Sequence, residues 1–295
     1  MSEAAFDNQQ INAVFRQFSA VDAATITQNT AAFANDVYDI STQSGERFFL
    51  KILKSQIPEM IAAEAAMQQQ LKQAAIGTPE YLEVKPGEYV GHYDDIRFVI
   101  SKYIPGVSPT EVTPLLIESF GETLARLHDT FTNVVVPQSD MQWLNPNRVM
   151  SDLAGYHGSA KTDLLHLLQT GGTIFKQHLP QAVIHGDLWL SNVFADQDRI
   201  TTVFDLETAE YTVRIVDLAR TFTSLSFNSS YVTDDIIDGL CLGYDMASMQ
   251  PLTTVERANI KPAIAFVSAA CATWHAIHGT RYLEPYITLG KQVVA

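Results

Sequence analysis

Val183-Ile184-His185-Gly186-Asp187-Leu188-Trp189-Leu190-Ser191-Asn192-Val193-Phe194, followed by Val203-Phe204-Asp205-Leu206-Glu207, is the stretch on which the reading of this chain turns. It has the form His-x-Asp-x-x-x-x-Asn, then an apolar strand, then a second Asp. Phosphoryl transfer to a hydroxyl asks for these residue types in this order: a carboxylate to accept the hydroxyl proton, and a carboxamide and a further carboxylate to hold a divalent cation against nucleotide phosphates. Asp187 and Asn192, five apart on a loop, can face one space. Asp205 returns to it if Ile200–Phe204 pairs as a strand with the residues after Asn192. The plainer alternative is a His-Gly-Asp turn with an Asx hydrogen bond and an Asp that ends a strand.

Two textures flank this stretch. Residues 30–104 read as strands with one helix among them. Val37–Ile40 and Arg47–Leu53 are β-branched or aromatic runs joined across Gln43-Ser44-Gly45-Glu46, a hairpin-like turn. A helix is expected from Pro58, which suits a first helical position, to Ala75, just before Gly77. Further strands are expected at Tyr81–Val84, Glu88–His92 and Ile96–Tyr103. From about residue 107 helices dominate: Leu116, Phe120, Leu124 and Leu127 lie on one helical face, as do Ile260, Ile264, Val267, Ala270 and Trp274. Two domains follow, 1–104 and 105–295.

Lys51 stands in the middle of Phe48-Phe49-Leu50-Lys51-Ile52-Leu53. A cation in so apolar a strand needs a partner if it is buried, and is unremarkable only on an exposed edge. Glu64, midway along the expected helix, is the best partner, with Glu59 near the helix start as the fallback.

The chain has 33 acidic against 19 basic residues, a formal net charge of −14. So acidic a surface argues against nucleic acid or an anionic membrane as partner. Its two cysteines, Cys241 and Cys271, form no Cys-x-x-Cys, so neither a zinc framework nor a disulfide scaffold is expected. No basic leader followed by an apolar run opens the sequence, and a soluble, cytoplasmic protein is expected. There is no Walker A motif and no Gly-x-Gly-x-x-Gly. His275 and His278 could present two metal ligands from one helix, but no third ligand stands near them, and packing is the better reading. Asp234, Asp235 and Asp238 read as the acidic start of a helix.

The run from His185 to Phe194, with Val203-Phe204-Asp205-Leu206-Glu207 and Val216-Asp217-Leu218-Ala219, resembles the signature of the aminoglycoside phosphotransferase, choline kinase and type II homoserine kinase superfamily. The resemblance covers about residues 30 to 280. It implies an α+β, bilobal protein-kinase-like fold: a small antiparallel-sheet lobe with one helix that binds nucleotide, and a larger, mainly helical lobe that carries the catalytic loop and the substrate. Carried over by position, Asp187 is the catalytic base, His185 anchors its loop, Asn192 and Asp205 hold Mg²⁺, and Asp217 braces the loop. Lys51 grips the α- and β-phosphates and pairs with Glu64. Asn35 and Tyr38 resemble the family's nucleotide-loop pattern, although residues 27–36 contain no glycine, and Ser101 and Tyr103 lie in the segment that meets adenine.

The implied activity is an ATP- and Mg²⁺-dependent small-molecule kinase acting on a hydroxyl. Gly243 to Arg257 looks like the tail of type II homoserine kinases, and Trp189 is similar to fructosamine-kinase-like relatives. An acidic larger lobe suits an amine-bearing alcohol such as homoserine, choline or an amino sugar. Trp189 and Glu207 are the substrate-side candidates. The alternative is a catalytically silent nucleotide-binding protein of the same fold.

Overall fold

The computed structural model describes residues 6–29, 35–138 and 142–295. The chain divides into two compact units between Pro105 and Gly106.

The first unit opens with helix α1 (Asn8–Phe15), started by a capping box in which Asp7 and Gln10 satisfy each other's backbone N–H groups. The strands are β1 (Ala23–Asn29), β2 (Asp36–Thr42), β3 (Arg47–Leu53), β4 (Gly91–Tyr93) and β5 (Ile96–Lys102), with helix α2 (Pro58–Gln73) between β3 and β4. They form one antiparallel sheet in the order β1-β2-β3-β5-β4. The β2–β3 hairpin turns at Gly45.

The two sheet faces bury different things, as the period of two along a strand requires. Phe48, Leu50 and Ile52 point with Tyr38, Ile40, Phe98 and Ile100 into a core closed by Ile11, Val14 and Phe15 of α1. Lys51 is on the other face, where Leu53 and Val99 pack against Ile61 of α2. Two expectations need correction. Tyr81–Val84 and Glu88–His92 are not strands but a loop held by the isolated bridges Tyr81–Ser101 and Lys85–Glu88, with only Gly91–Tyr93 as strand. The sheet also begins earlier than residue 30, at β1.

The second unit contains α3 (Pro114–Thr130), α4 (Pro146–Gly155), α5 (Lys161–Gly171), β6 (Gln181–Ile184), β7 (Val193–Asp196), β8 (Arg199–Val203), β9 (Glu210–Val213), α6 (Ile215–Phe227), α7 (Thr233–Ala247), α8 (Thr254–Ala258), α9 (Ile260–His278) and α10 (Leu283–Val294). Leu116, Phe120, Leu124 and Leu127 are all buried on α3, as their spacing requires. That helix packs on α7, and Gly243 leaves the room: a Cβ there would strike the backbone carbonyl of Glu118. Helix α9 is apolar over nearly its whole circumference, not on one stripe. It is long and apolar enough to cross a membrane by length and composition, but its residues from Ala263 to Thr273 are buried in this unit's core. Both cysteines are buried and free, and burial raises each thiol to about 11, so they behave as small apolar side chains.

Candidate active site

Two small antiparallel ladders frame the loop after β6. Strand β6 pairs with β9, and β7 with β8. The second ladder decides the placement of Asp205. Val193 lies opposite Val203, and the Phe204 N–H donates to the Asn192 carbonyl at 3.1 Å. Asn192 and Asp205 therefore leave the same end of one hairpin. Asp205 itself has φ +71° and ψ +61°, the left-handed region, which costs a non-glycine residue roughly 1–2 kcal/mol. Asp tolerates it better than most residues, and here it turns an exposed carboxylate out of the strand line.

The loop from His185 to Leu190 is held almost residue by residue by one stripe of α6. Asp217, fully buried, accepts from the His185 N–H (2.7 Å, Oδ2) and the Gly186 N–H (2.9 Å, Oδ1). Arg220 donates from Nε to Oδ1 of Asp187 at 2.9 Å. Thr221 Oγ1 donates to the Leu188 carbonyl at 2.9 Å, and Ser224 Oγ accepts from the Leu190 N–H at 3.4 Å. Positions 217, 220, 221 and 224 share one face of a helix. Gly186 sits at φ +79°, and a Cβ would come within 2.7 Å of the Thr208 carbonyl oxygen, so the turn both needs the left-handed backbone and lacks room for a side chain.

His185 is fully buried and its bonds fix its tautomer. Nε2 faces the Phe204 carbonyl at 3.1 Å, which can only accept, so Nε2 carries the proton. Nδ1 then accepts from the Asp187 N–H at 3.2 Å. One neutral imidazole thus ties the catalytic loop to the residue before Asp205. Below it, His128 of α3 donates from Nε2 to Asp217 Oδ2 at 3.1 Å, and its Nδ1 lies 2.9 Å from the Tyr244 hydroxyl. Burial pushes the Asp217 carboxyl up, but the hydrogen bond and charge of His128, with the backbone N–H of His185, outweigh it and hold the group below its ordinary value.

The Asn192 side chain donates from Nδ2 to the Asp187 carbonyl at 2.9 Å. That commits its nitrogen and leaves its oxygen as the atom free to face a cation. An amide oxygen and a carboxylate at one hairpin end are hard oxygen donors, the set that Mg²⁺ takes when phosphates and water complete its shell. The residues therefore fit a divalent cation held jointly with a nucleotide. Among the described residues no group of three or more His, Cys, Asp or Glu is placed to hold a metal ion. His278 instead stacks on Trp274 at 4.1 Å.

In the first unit, Lys51 lies between Val37 and Val99 in the interior strand of the sheet, not on an edge, and is half-buried. Glu64 is buried on α2, where it accepts from the Tyr81 hydroxyl at 2.7 Å and from Gln56 Nε2 at 3.3 Å; Glu59 is exposed. Ser101, opposite Phe49, shares the sheet face of Lys51, and Arg47 lies 3.6 Å over the Tyr103 ring. Asn35 is buried, its Oδ1 accepting from the Lys54 N–H at 3.3 Å. Tyr38 needs correction: it is 1% exposed in the core under α1, on the face opposite Lys51, which takes it away from a nucleotide loop. Residues 30–34 of that loop lie outside the described residues.

Two residues beyond Asp187, Trp189 is 38% exposed. Glu207 is 4% exposed, which weighs against direct contact with an acceptor. Asp234 and Asp235 occupy the first turn of α7, and Asp234 pairs with Lys261 at 3.0 Å. The residue that sequence reasoning missed is Arg220. Its signal was there: Asp217, Arg220, Thr221 and Ser224 form a polar stripe at helical spacing, and Asp217 and Arg220 are the two charged residues of Ile215–Phe227.

The fold, with the family and neighbours that it matches, defines a phosphotransferase acting on hydroxyl groups. The chain belongs to the phosphotransferase enzyme family, whose model matches residues 25–252. It is 24% identical over 233 residues to a homoserine kinase of Granulibacter bethesdensis, covering 77% of this chain and 72% of that one. Among solved structures it resembles an amicoumacin kinase in complex with AMP-PNP and Ca²⁺ (TM-score 0.79, 17% identity, 97% of this chain and 94% of the other). It also resembles a choline/ethanolamine kinase family protein from Mesorhizobium loti (TM-score 0.63, 17% identity, 92% and 88%). These likenesses show the α+β, protein-kinase-like fold.

Proposed function

We propose that this phosphotransferase moves the γ-phosphoryl group of ATP, with Mg²⁺, to the hydroxyl of a small amine-bearing metabolite of the homoserine, choline or amino-sugar kind. The observation that carries the proposal is the α6 stripe, which fixes Asp187 while Asn192 and Asp205 leave one hairpin end. The relatives named as homoserine kinases, and the kinase solved with a nucleotide analogue and a divalent cation, support the choice of substrates.

Asp187 receives the acceptor's hydroxyl on its Oδ2 side, orients it and takes its proton as the bond to phosphorus forms, a contribution of roughly 10²–10⁴-fold for a positioned general base. Asn192 through Oδ1 and Asp205 through its carboxylate would hold the cation, which supplies charge stabilisation on the phosphate oxygens. Lys51 would serve the α- and β-phosphates, with the buried Glu64 as its partner. The backbone around Ser101 and Tyr103 serves adenine, with Asn35 at the start of β2. Trp189 offers an apolar face to the acceptor.

The experiment is ³¹P NMR of the protein with MgATP and a panel of amino alcohols. A phosphomonoester signal that needs both Mg²⁺ and one acceptor supports the reading. No ester with any acceptor, under conditions where calorimetry shows MgATP bound, rejects it in favour of a silent nucleotide-binding protein.

A further inference from the structure

We infer that Arg220 is the residue that orients the catalytic base, holding Oδ1 of Asp187 so that Oδ2 alone is presented to the acceptor hydroxyl. The inference rests on the reading of Asp187 as base, and it assigns a role to a side chain that no part of the loop motif contains.

The geometry is specific. Both Nε and Nη2 of Arg220 reach the same carboxylate oxygen, Asp187 Oδ1, at 2.9 and 2.7 Å. Among the described residues, the other oxygen, Oδ2, meets only the distant Asn192 Nδ2 at 3.5 Å. A carboxylate free to spin about its Cβ–Cγ bond would exchange its two oxygens; one fixed at Oδ1 by two charge-assisted bonds cannot. The guanidinium is itself immobile. Its Nη1 donates to Thr223 Oγ1 at 3.1 Å, and its Cζ lies 5.6 Å from the Trp143 ring centroid and 5.7 Å from that of Trp189. The Arg220 side chain is 8% exposed, against 24% for Asp187, so the cation is the sealed partner and the carboxylate the open one. Burial disfavours the charge on Arg220, but Asp187 more than offsets it and holds the guanidinium above its ordinary value.

The arrangement fixes the aim of the Asp187 carboxylate. It suits a loose phosphoryl-transfer transition state, where little proton transfer has occurred and correct aim of the hydroxyl matters more than base strength. Lysine keeps the charge but offers one ammonium in place of the two fork nitrogens, so it replaces this anchor only in part.

The test compares wild type, Arg220→Gln, Arg220→Lys and Asp187→Asn with MgATP and the acceptor that wild type uses best, or with water as acceptor in the basal ATPase. Calorimetric MgATP binding serves as the measure of folded, loaded enzyme. Expected is a kcat loss of about 30–100-fold in Arg220→Gln, with acceptor KM and MgATP Kd within about threefold of wild type, and at least tenfold recovery in Arg220→Lys. Four results overturn the proposal: kcat retained in Arg220→Gln, a loss that resides in KM, a parallel loss of MgATP binding (a merely structural residue), or a lysine variant no better than glutamine. Turnover retained in Asp187→Asn instead overturns the reading of the base, and so separates the two failures.

Discussion

Replacing Asp217 by Asn removes one charge and one acceptor while keeping the shape, and the structure allows its cost to be worked out. Oδ2 takes two N–H groups, from His185 and His128, and Oδ1 takes one, from Gly186. The amide oxygen can replace only one of these atoms. With the oxygen at the Oδ2 position, the new NH₂ faces the Gly186 N–H, donor against donor. The lost bond to a charged acceptor is worth about 1.5–3 kcal/mol, and the orphaned buried N–H about 1–3 kcal/mol more. The sum, about 2.5–6 kcal/mol, is a large share of the ~5–15 kcal/mol that holds an ordinary domain. It should lower the unfolding midpoint by roughly 5–24 °C. Thermal unfolding at pH 7 reads the loss, and amide hydrogen exchange at Gly186 reads its location. Because the folded Asp217 carboxyl lies below its ordinary value, its stabilisation is present above about pH 4 and is lost on acidification below that. The gap between wild type and variant should therefore close in acid. A destabilisation under about 1 kcal/mol with Gly186 exchange unchanged would refute the claim that Asp217 braces the loop.

Two further outcomes follow from other buried groups. Arg214 donates from Nε to Glu256 at 2.6 Å and from Nη2 at 2.9 Å, with side chains 6% and 0% exposed. Glu256→Ala leaves that guanidinium unpaired and also breaks the α8 capping box, so a loss of about 3–5 kcal/mol is expected in urea unfolding. His275 is pushed down to about 4 by burial, with Arg220 and His278 adding to it. Between about pH 6.5 and 4 the unfolded chain binds the proton that the folded ring refuses, so stability present above pH 6.5 falls as pH drops through that window. For a half-buried ring the screened effect is on the order of 1–2 kcal/mol. A His275→Gln variant should lose that slope, as read from unfolding midpoints across the same pH range.

Much of this was legible in residue order because the determinants are local. The β2–β3 hairpin, the start of α2 at Pro58 and the β7–β8 return that carries Asp205 each follow from short-range pattern and turn chemistry. Lys51 in an interior strand and buried Glu64 follow from the cost of a charge among apolar neighbours. What was not legible depends on long-range partners. Tyr38 lies in the right segment but on the wrong side of the pleat, and only the packing of α1 shows that. The loop at Tyr81–Val84 has strand-forming residues, yet it meets β5 only at an isolated bridge. Strand β1 is mostly polar and exposed, so it lacks the alternation that marks a strand. Arg220 reads as an ordinary helix residue until the loop is folded back over α6.

The account stands or falls with the carboxylate of Asp187, and turnover of the Asp187→Ala protein measures it most directly. With MgATP and the preferred acceptor, kcat should fall by about 10²–10⁴-fold, while the nucleotide binds as before and the unfolding midpoint stays near that of wild type. Phosphorylated product formed at a near wild-type rate by that variant would contradict the account.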